Sequence, residues 1–166
     1  MKKYIDCDGV IFDSEIWLFD DEYRSLGIKD EPEKIKYIQK KDWNKILEKS
    51  EIINNAINII KELDDASILT KVHSMENEGV AKIKHLRNLG IKNEIILVPY
   101  PLKKADLVDP RGNILVDDTI HNLDEWEEKD GISLFFNKDN SDIDGWNNVN
   151  KKYTRIESLE YLKEFK

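Results

Sequence analysis

Two pairs of acidic residues stand where chemistry is expensive to place. Asp6 and Asp8 flank Cys7 at the end of the apolar run "KYIDC", with Gly9 directly after, and Asp117 and Asp118 close a second run, "ILVDD". A carboxylate at the end of a buried strand is costly to desolvate unless a cation or a proton offsets it. Mg²⁺ is a suitable cation, since it takes hard oxygen ligands, commonly one or two carboxylates with substrate phosphate and water. Asp6 with Asp117 could supply them. A carboxylate can also be a nucleophile that forms an aspartyl-phosphate. In that scheme Asp8 protonates the leaving alkoxide and then deprotonates the water that releases the phosphate. A third run, "SILT", ends in Thr70, and Lys103 and Lys104 lie in the segment feeding the Asp117 run. Thr70 and a lysine would hold the equatorial phosphoryl oxygens, which carry the transition-state charge.

The elements that must position these groups follow from the pattern of the chain. Short apolar runs ("KYIDC", "SILT", "IILV", "ILV", "ISLFF") alternate with longer segments of helical periodicity. That alternation belongs to βαβ units and a parallel sheet flanked by helices, an α/β fold. The acids and Thr70 then fall at the carboxyl ends of strands, the edge where open α/β sheets bind ligands. Between Asp13 and Leu63 there is no strand pattern. "SEIWLFDDEYRSLG" reads as one helix closed by Gly27, "DEPEKIKYIQK" as a second, and "SEIINNAINIIKEL" as an amphipathic helix capped by Ser50. This helical insert of about fifty residues is longer than an ordinary connection. It divides the chain into a core, 1–13 with 64–166, and an insert, 14–63. Downstream, "ENEGVAKIKHLRNLG" reads as a helix capped by Ser74 and stopped by Gly90, and "IESLEYLKEF" as a last helix.

Composition narrows the class. With 40% hydrophobic and 36% charged residues, 166 residues suffice for one folded domain with a proper core. The formal net charge of −8 disfavours a surface for long nucleic acids, which are bound chiefly through phosphate neutralisation. A single cysteine, Cys7, excludes an internal disulfide and suits a reducing cytosol; with no apolar run of membrane-spanning length, the expected address is cytoplasmic. Cys7 reads as a small buried hydrophobe. The three histidines form no spaced metal set, although His121 follows the Asp117 strand closely. Trp17, Phe19, Tyr37 and Trp43 in the insert read as packing residues. A monomer or small homo-oligomer is expected.

The order strand-DxDG, helical insert, strand-Thr, helix, strand, Lys, strand-DD resembles the haloacid dehalogenase-like hydrolase superfamily over nearly the whole chain. Asp6 and Asp8 match its first motif, Thr70 its second, Lys103 or Lys104 its third, and Asp117 with Asp118 its fourth. The resemblance implies a Rossmann-like core, Asp6 as nucleophile and Asp8 as acid/base. It also implies Mg²⁺ held by Asp6, the backbone carbonyl of Asp8, and Asp117, with the insert as a small helical cap that closes over the substrate. Within the superfamily, "DCDGVIFDSE", "ILTKVHS", "KKADL" and "ILVDDTIHNLDEWEEKDGISLFFN" look most like the 5'(3')-deoxyribonucleotidase branch, except that the branch carries a base-holding aromatic where this chain has Ser14. The "KADL" stretch favours Lys104 over Lys103, and adjacent side chains point in well-separated directions. The expected function is a Mg²⁺-dependent phosphomonoesterase for a small phosphorylated metabolite, with 5'-nucleotides and deoxynucleotides as candidates. A sugar-phosphate phosphatase or phosphomutase, and a non-catalytic binding protein on the same fold, are the alternatives.

Overall fold

The computed structural model describes residues 1–138 and 152–165. Six strands, β1 (Lys3–Ile5), β2 (Ala66–Val72), β3 (Glu94–Pro99), β4 (Ile114–Asp117), β5 (Ile132–Phe136) and β6 (Thr154–Ile156), form one sheet in the order β3-β2-β1-β4-β5-β6. Every neighbouring pair is parallel. The expected parallel α/β fold is the one observed. The five apolar runs became β1 to β5, while β6 falls inside "YTRIES", too short and too polar to read as a strand. Pairing supplies what its composition lacks, since Ile156 registers against Phe136 and Asn137 donates its N–H to the Ile156 carbonyl at 2.9 Å.

Alternation along the strands builds two cores. Ile5, Ile68, Ile114, Val116, Leu134 and Phe136 face one side, and Tyr4, Leu69, Leu115 and Phe135 the other. Successive side chains of a strand point to opposite faces, and a parallel sheet buries both. The first face is covered by α4 (Trp43–Lys49), α5 (Ala56–Lys61), α6 (Val80–Asn88) and a 3₁₀ turn over Leu159–Glu164; the second by α7 (Lys104–Leu107) and α8 (Ile120–Glu127). On the second face Trp126 is fully buried, edge-on to Tyr4 at 5.4 Å between ring centroids, and donates its indole N–H to the Asn113 carbonyl at 3.0 Å. A Cβ at Gly131 would lie 2.2 Å from that indole, which is why glycine stands there.

The insert departs from its expected helices at the capping residues. "SEIWLFDDEYRSLG" is two helices, α1 (Glu15–Leu18) and α2 (Asp21–Leu26), because extended Asp20 accepts the Tyr23 N–H and starts a new helix; Gly27, at φ 61°, ends α2 as expected. Asp30 caps α3 (Glu31–Lys40) and Asp42 caps α4 by the same device. Ser50 caps no helix start. It sits at the end of α4 with its hydroxyl on the Ile46 carbonyl, and α5 begins only after a 3₁₀ turn with Asn54 and Asn55 at positive φ. Trp43, Ile46, Leu47, Ile57 and Ile60 share one apolar cluster with Ile5 and Ile68 of the sheet. Ser74 does cap a helical segment, accepting the Asn77 N–H, but the first turn there, Met75–Gly79, is a π turn closed by Gly79 N–H to Ser74 carbonyl at 2.9 Å. The expected final helix is β6 followed by the 3₁₀ turn.

In this strand order the chain reverses direction across the sheet between β1 and β4. The crevice outside the carboxyl ends at such a switch point is where open α/β sheets place ligands. Asp6 and Asp8 leave β1 there, and Asp117 and Asp118 leave β4 there.

Candidate active site

Asp6 continues the β1 ladder, donating its N–H to the Val116 carbonyl at 3.0 Å. Its carboxylate is buried and receives the Lys104 ammonium at 2.6 Å, and the same ammonium reaches Asp117 Oδ2 at 2.6 Å. Lys104 opens α7 and is itself buried. Lys103 turns to Glu125 at 2.9 Å, so of the two lysines it is Lys104 that stands against Asp6 and Asp117. Burial opposes the charge on Lys104, but Asp117 and Asp6 outweigh it and raise its pKa to about 12.

The two acids at the end of β4, Asp117 within it and Asp118 just after it, are not equivalent. Asp117 is fully buried and its oxygens accept from Lys104, the Thr119 N–H at 2.8 Å and the Asn122 amide at 3.0 and 3.2 Å. Among the described residues, Asp118 receives only a 3.4 Å contact from the neighbouring Thr119 hydroxyl. Carboxylate oxygens of Asp6, Asp117 and Asp118 lie within 4.8 Å of one another. Burial raises the Asp118 carboxyl well above its ordinary value, with Asp117 and Asp6 adding to it. Burial also pushes Asp6 up to about 7 against the pull of Lys104. A crowded set of hard oxygen donors with more negative charge than one ammonium offsets fits a small divalent cation.

That fit has a pH signature. Asp6 has a folded pKa above its unfolded value, so the stability it contributes in the metal-free protein is present in acid and lost as pH rises through about 7. A cation must displace that proton. Thermal unfolding with and without Mg²⁺ should therefore show the metal-free contribution of Asp6 falling between about pH 5 and pH 7, and any Mg²⁺-induced rise growing over the same interval. A Mg²⁺ effect of equal size at both pH values would contradict the assignment.

Gly9 is required twice over. Its φ is +74°, and a Cβ there would stand 1.9 Å from Asp118 Oδ2. Gly9→Ala should displace the Asp118 carboxylate and weaken any Mg²⁺ binding at this oxygen cluster by about tenfold or more, with about 1–2 kcal/mol of lost stability from the left-handed backbone. Calorimetric titration with Mg²⁺ checks the first and denaturant unfolding the second.

Asp8 borders the same cavity but stands outside this cluster of acids. Its Oδ1 accepts the Ser14 hydroxyl at 2.5 Å, and its Oδ2 the ammonium of Lys82 at 2.5 Å. Burial works to raise Asp8, but Lys82 and Ser14 overcome it and hold the carboxyl below its ordinary value. Ser14, buried, is committed to Asp8 rather than to a cavity wall. Thr70 is fully buried as well, and its hydroxyl receives Lys82 at 3.2 Å; the residue that reaches the cavity from that strand end is Lys71. Lys82 and its partner Glu78 escaped the reading of the sequence. The available signal was their i, i+4 spacing, which exposed helices share.

A cavity of about 290 Å³ opens over these groups, with Asp6, Asp8, Asp118 and Lys104 on its floor and Leu18, Phe19, Ile38 and Trp43 from the insert on its walls. His121 borders it and pairs with Glu125 at 2.9 Å. Trp43 is packed, as expected, and its indole donates to the Ile38 carbonyl; Phe19 is half-buried, and Trp17 stays 39% exposed. Cys7 is fully buried in the core.

A parallel sheet in this order, with DxD after β1, DD after β4 and a helical insert between β1 and β2, is the haloacid dehalogenase-like hydrolase fold. Three solved structures share it along almost their whole length. A haloacid dehalogenase-like family hydrolase from Streptococcus pneumoniae matches at TM-score 0.63 and 16% identity, over 99% of this chain and 98% of that one. A HAD phosphatase from Thermococcus onnurineus matches at 0.61 and 16%, over 99% and 97%. A HAD hydrolase from Bacillus subtilis, solved with magnesium bound, matches at 0.62 and 16%, over 98% and 96%. No protein-family profile and no curated protein matches the chain. Among the described residues, no helix is long and apolar enough to cross a membrane.

Proposed function

We propose that the chain is a Mg²⁺-dependent phosphomonoesterase working through a phosphorylated Asp6. The observation that carries this reading is the placement of Asp6 at the switch point, 2.6 Å from the buried Lys104 and within one oxygen cluster with Asp117 and Asp118. Structural neighbours that are hydrolases, one of them named a phosphatase, support it. Mg²⁺ would be held by Asp6, the Asp8 carbonyl and an acid of β4, and would neutralise charge on the phosphoryl group. Asp118, nearly free of partners, is better suited to that ligation than Asp117, whose oxygens already hold Lys104, Thr119 and Asn122 in place.

In the first step an Asp6 oxygen attacks phosphorus, the ester P–O bond breaks, and Asp8 passes a proton to the departing alkoxide. Lys82 and Ser14 hold the resting Asp8 ionised, so that proton arrives with the substrate; a phosphate monoester, with its second ionisation near pH 6, carries one in its monoanion. In the second step Asp8 takes a proton from water as the water oxygen attacks phosphorus. The bond to Asp6 breaks, and phosphate leaves. Lys104 neutralises charge on the transferring group and on Asp6. Lys71, whose side chain makes no ion pair among the described residues, is placed to reach substrate oxygens from the cavity wall.

The insert, 14–63, acts in this proposal as the cap that chooses the substrate. Its walls suit a leaving group with an apolar or aromatic part, and Phe19 offers a ring for a nucleobase in place of the aromatic that Ser14 replaces. Nucleoside 5'-monophosphates and their deoxy forms are therefore the first substrates to try. The test is a Mg²⁺-dependent phosphate-release screen over nucleotides, deoxynucleotides and sugar phosphates, with Asp6→Asn as the blank. Release by the wild type alone supports the proposal, silence across the panel sinks it, and a requirement for a sugar bisphosphate turns it into a phosphomutase.

A further inference from the structure

Lys82 is fully buried, and its ammonium is shared among Asp8 Oδ2 at 2.5 Å, Glu78 Oε1 at 2.7 Å, the Lys71 carbonyl at 3.1 Å and the Thr70 hydroxyl at 3.2 Å. The Trp43 ring lies 5.1 Å from it. Glu78 is buried too, and its other oxygen accepts the His73 N–H at 2.7 Å. The π turn Met75–Gly79 and α6 set Glu78 and Lys82 one turn apart on the same face, against the end of β2. Single π turns inside helices cluster at functional sites.

A buried ion pair is by itself weak grounds for a role, because its desolvation cost offsets most of the attraction and apolar replacements often serve stability as well. What separates this network from a structural one is its third member. Asp8 lies on the cavity floor, and 23% of its side chain is exposed there, while Glu78 borders the cavity with only 2% exposed and Lys82 is closed off. Its two oxygens are held by groups from two different elements: Ser14, which precedes α1 in the insert, and Lys82 on α6. A carboxylate pinned at both oxygens has one rotamer and one reach, and proton transfer depends on placement to within a few tenths of an ångström.

We propose that Lys82, charge-balanced by Glu78, is the positioning residue for Asp8 in the phosphoester hydrolysis proposed above, on which this inference rests. Lys82 touches no substrate; it acts by fixing where the Asp8 carboxylate stands relative to the leaving oxygen. Glu78 keeps the ammonium in place and supplies the second negative charge that lets it stay buried.

The leaving group reads this out. An aryl ester such as p-nitrophenyl phosphate departs without a proton, whereas an alkyl ester needs one, so a misplaced Asp8 penalises the alkyl ester selectively. The quantity to measure is kcat/KM, which covers the steps through phosphorylation of Asp6. The substrates are p-nitrophenyl phosphate and the alkyl ester that the wild type turns over fastest in the screen. Lys82→Met should lower kcat/KM about a hundredfold for the alkyl ester while lowering it less than about fivefold for the aryl ester, with Asp8→Asn showing the same selectivity. Lys82→Met also strands Glu78, so Glu78→Gln/Lys82→Met is made in parallel. The double variant should recover the thermal midpoint and keep the selective loss. Equal losses on both esters, or recovery of alkyl-ester turnover in the double variant, would overturn the role of Lys82 while leaving the phosphatase reading intact. A wild type inactive on both esters with Mg²⁺ would instead overturn the phosphatase reading and this inference with it.

Discussion

Asp6→Asn is expected to lose phosphate release by about 10⁴-fold or more, as removal of an attacking group does elsewhere, and to stay folded. Asparagine has the shape of aspartate, and burial already holds Asp6 at about 7, so the ionised form is the costly one in this crevice. Removing its charge leaves Lys104 paired with Asp117 at 2.6 Å. The thermal midpoint of metal-free Asp6→Asn at pH 8 should therefore equal or exceed that of the wild type. Loss of activity with an unchanged circular dichroism spectrum is the expected pair of results; Mg²⁺-dependent turnover surviving in the variant would remove Asp6 as the nucleophile.

Lys104→Met should act on stability and activity together. Lys104 is the ammonium shared by Asp6 and Asp117, both buried. Taking one partner from a buried ion pair leaves uncompensated charge and costs about 3–5 kcal/mol. Mg²⁺ brings positive charge to the same acids, so the loss should be largest in chelator and partly reversed by millimolar Mg²⁺. Turnover should fall by about 10²–10³-fold even where Mg²⁺ restores folding, because the charge on the transferring phosphoryl group loses a fixed donor. Lys103→Met, which takes a half-exposed ammonium from the buried Glu125 and leaves it His121, is the control: turnover should not change measurably, and any loss of stability should not depend on Mg²⁺. Denaturant midpoints with and without Mg²⁺, together with kcat, decide it. Equal effects of the two lysine variants would contradict the site as described.

The parallel sheet and its acids were legible in the order of residues alone. β1, β2, β4 and β5 are runs of apolar residues with turn or helix signals on either side, and a run buried on both faces needs no partner to be recognised. Asp6, Asp8, Asp117 and Asp118 could be placed at strand ends because each pair closes such a run. The helices of the insert were legible as helical but not in their boundaries. Asp20 and Asp42 look like ordinary charged residues within a periodic pattern and become helix starts only when a side-chain oxygen meets a backbone N–H. β6 was invisible for a related reason: a three-residue edge strand is made by its neighbour, β5.

By itself, then, the order of residues determined the α/β class and which strand ends carry acids, because strand periodicity and motif spacing are local properties of the chain. Tertiary structure alone decided the partners. Lys104 faces the crevice while Lys103 faces Glu125, Asp117 is saturated with donors while Asp118 is nearly free of them, and Thr70 turns to Lys82 instead of the cavity. Lys82 shows the reason most clearly. In "ENEGVAKIKHLRNLG" it is one lysine of two on a charged helix, indistinguishable from a solvated one. The packing of α6 against α4, with the ammonium turned to the end of β2, removes its water, and an ammonium without water must take its ligands from Asp8, Glu78 and the backbone.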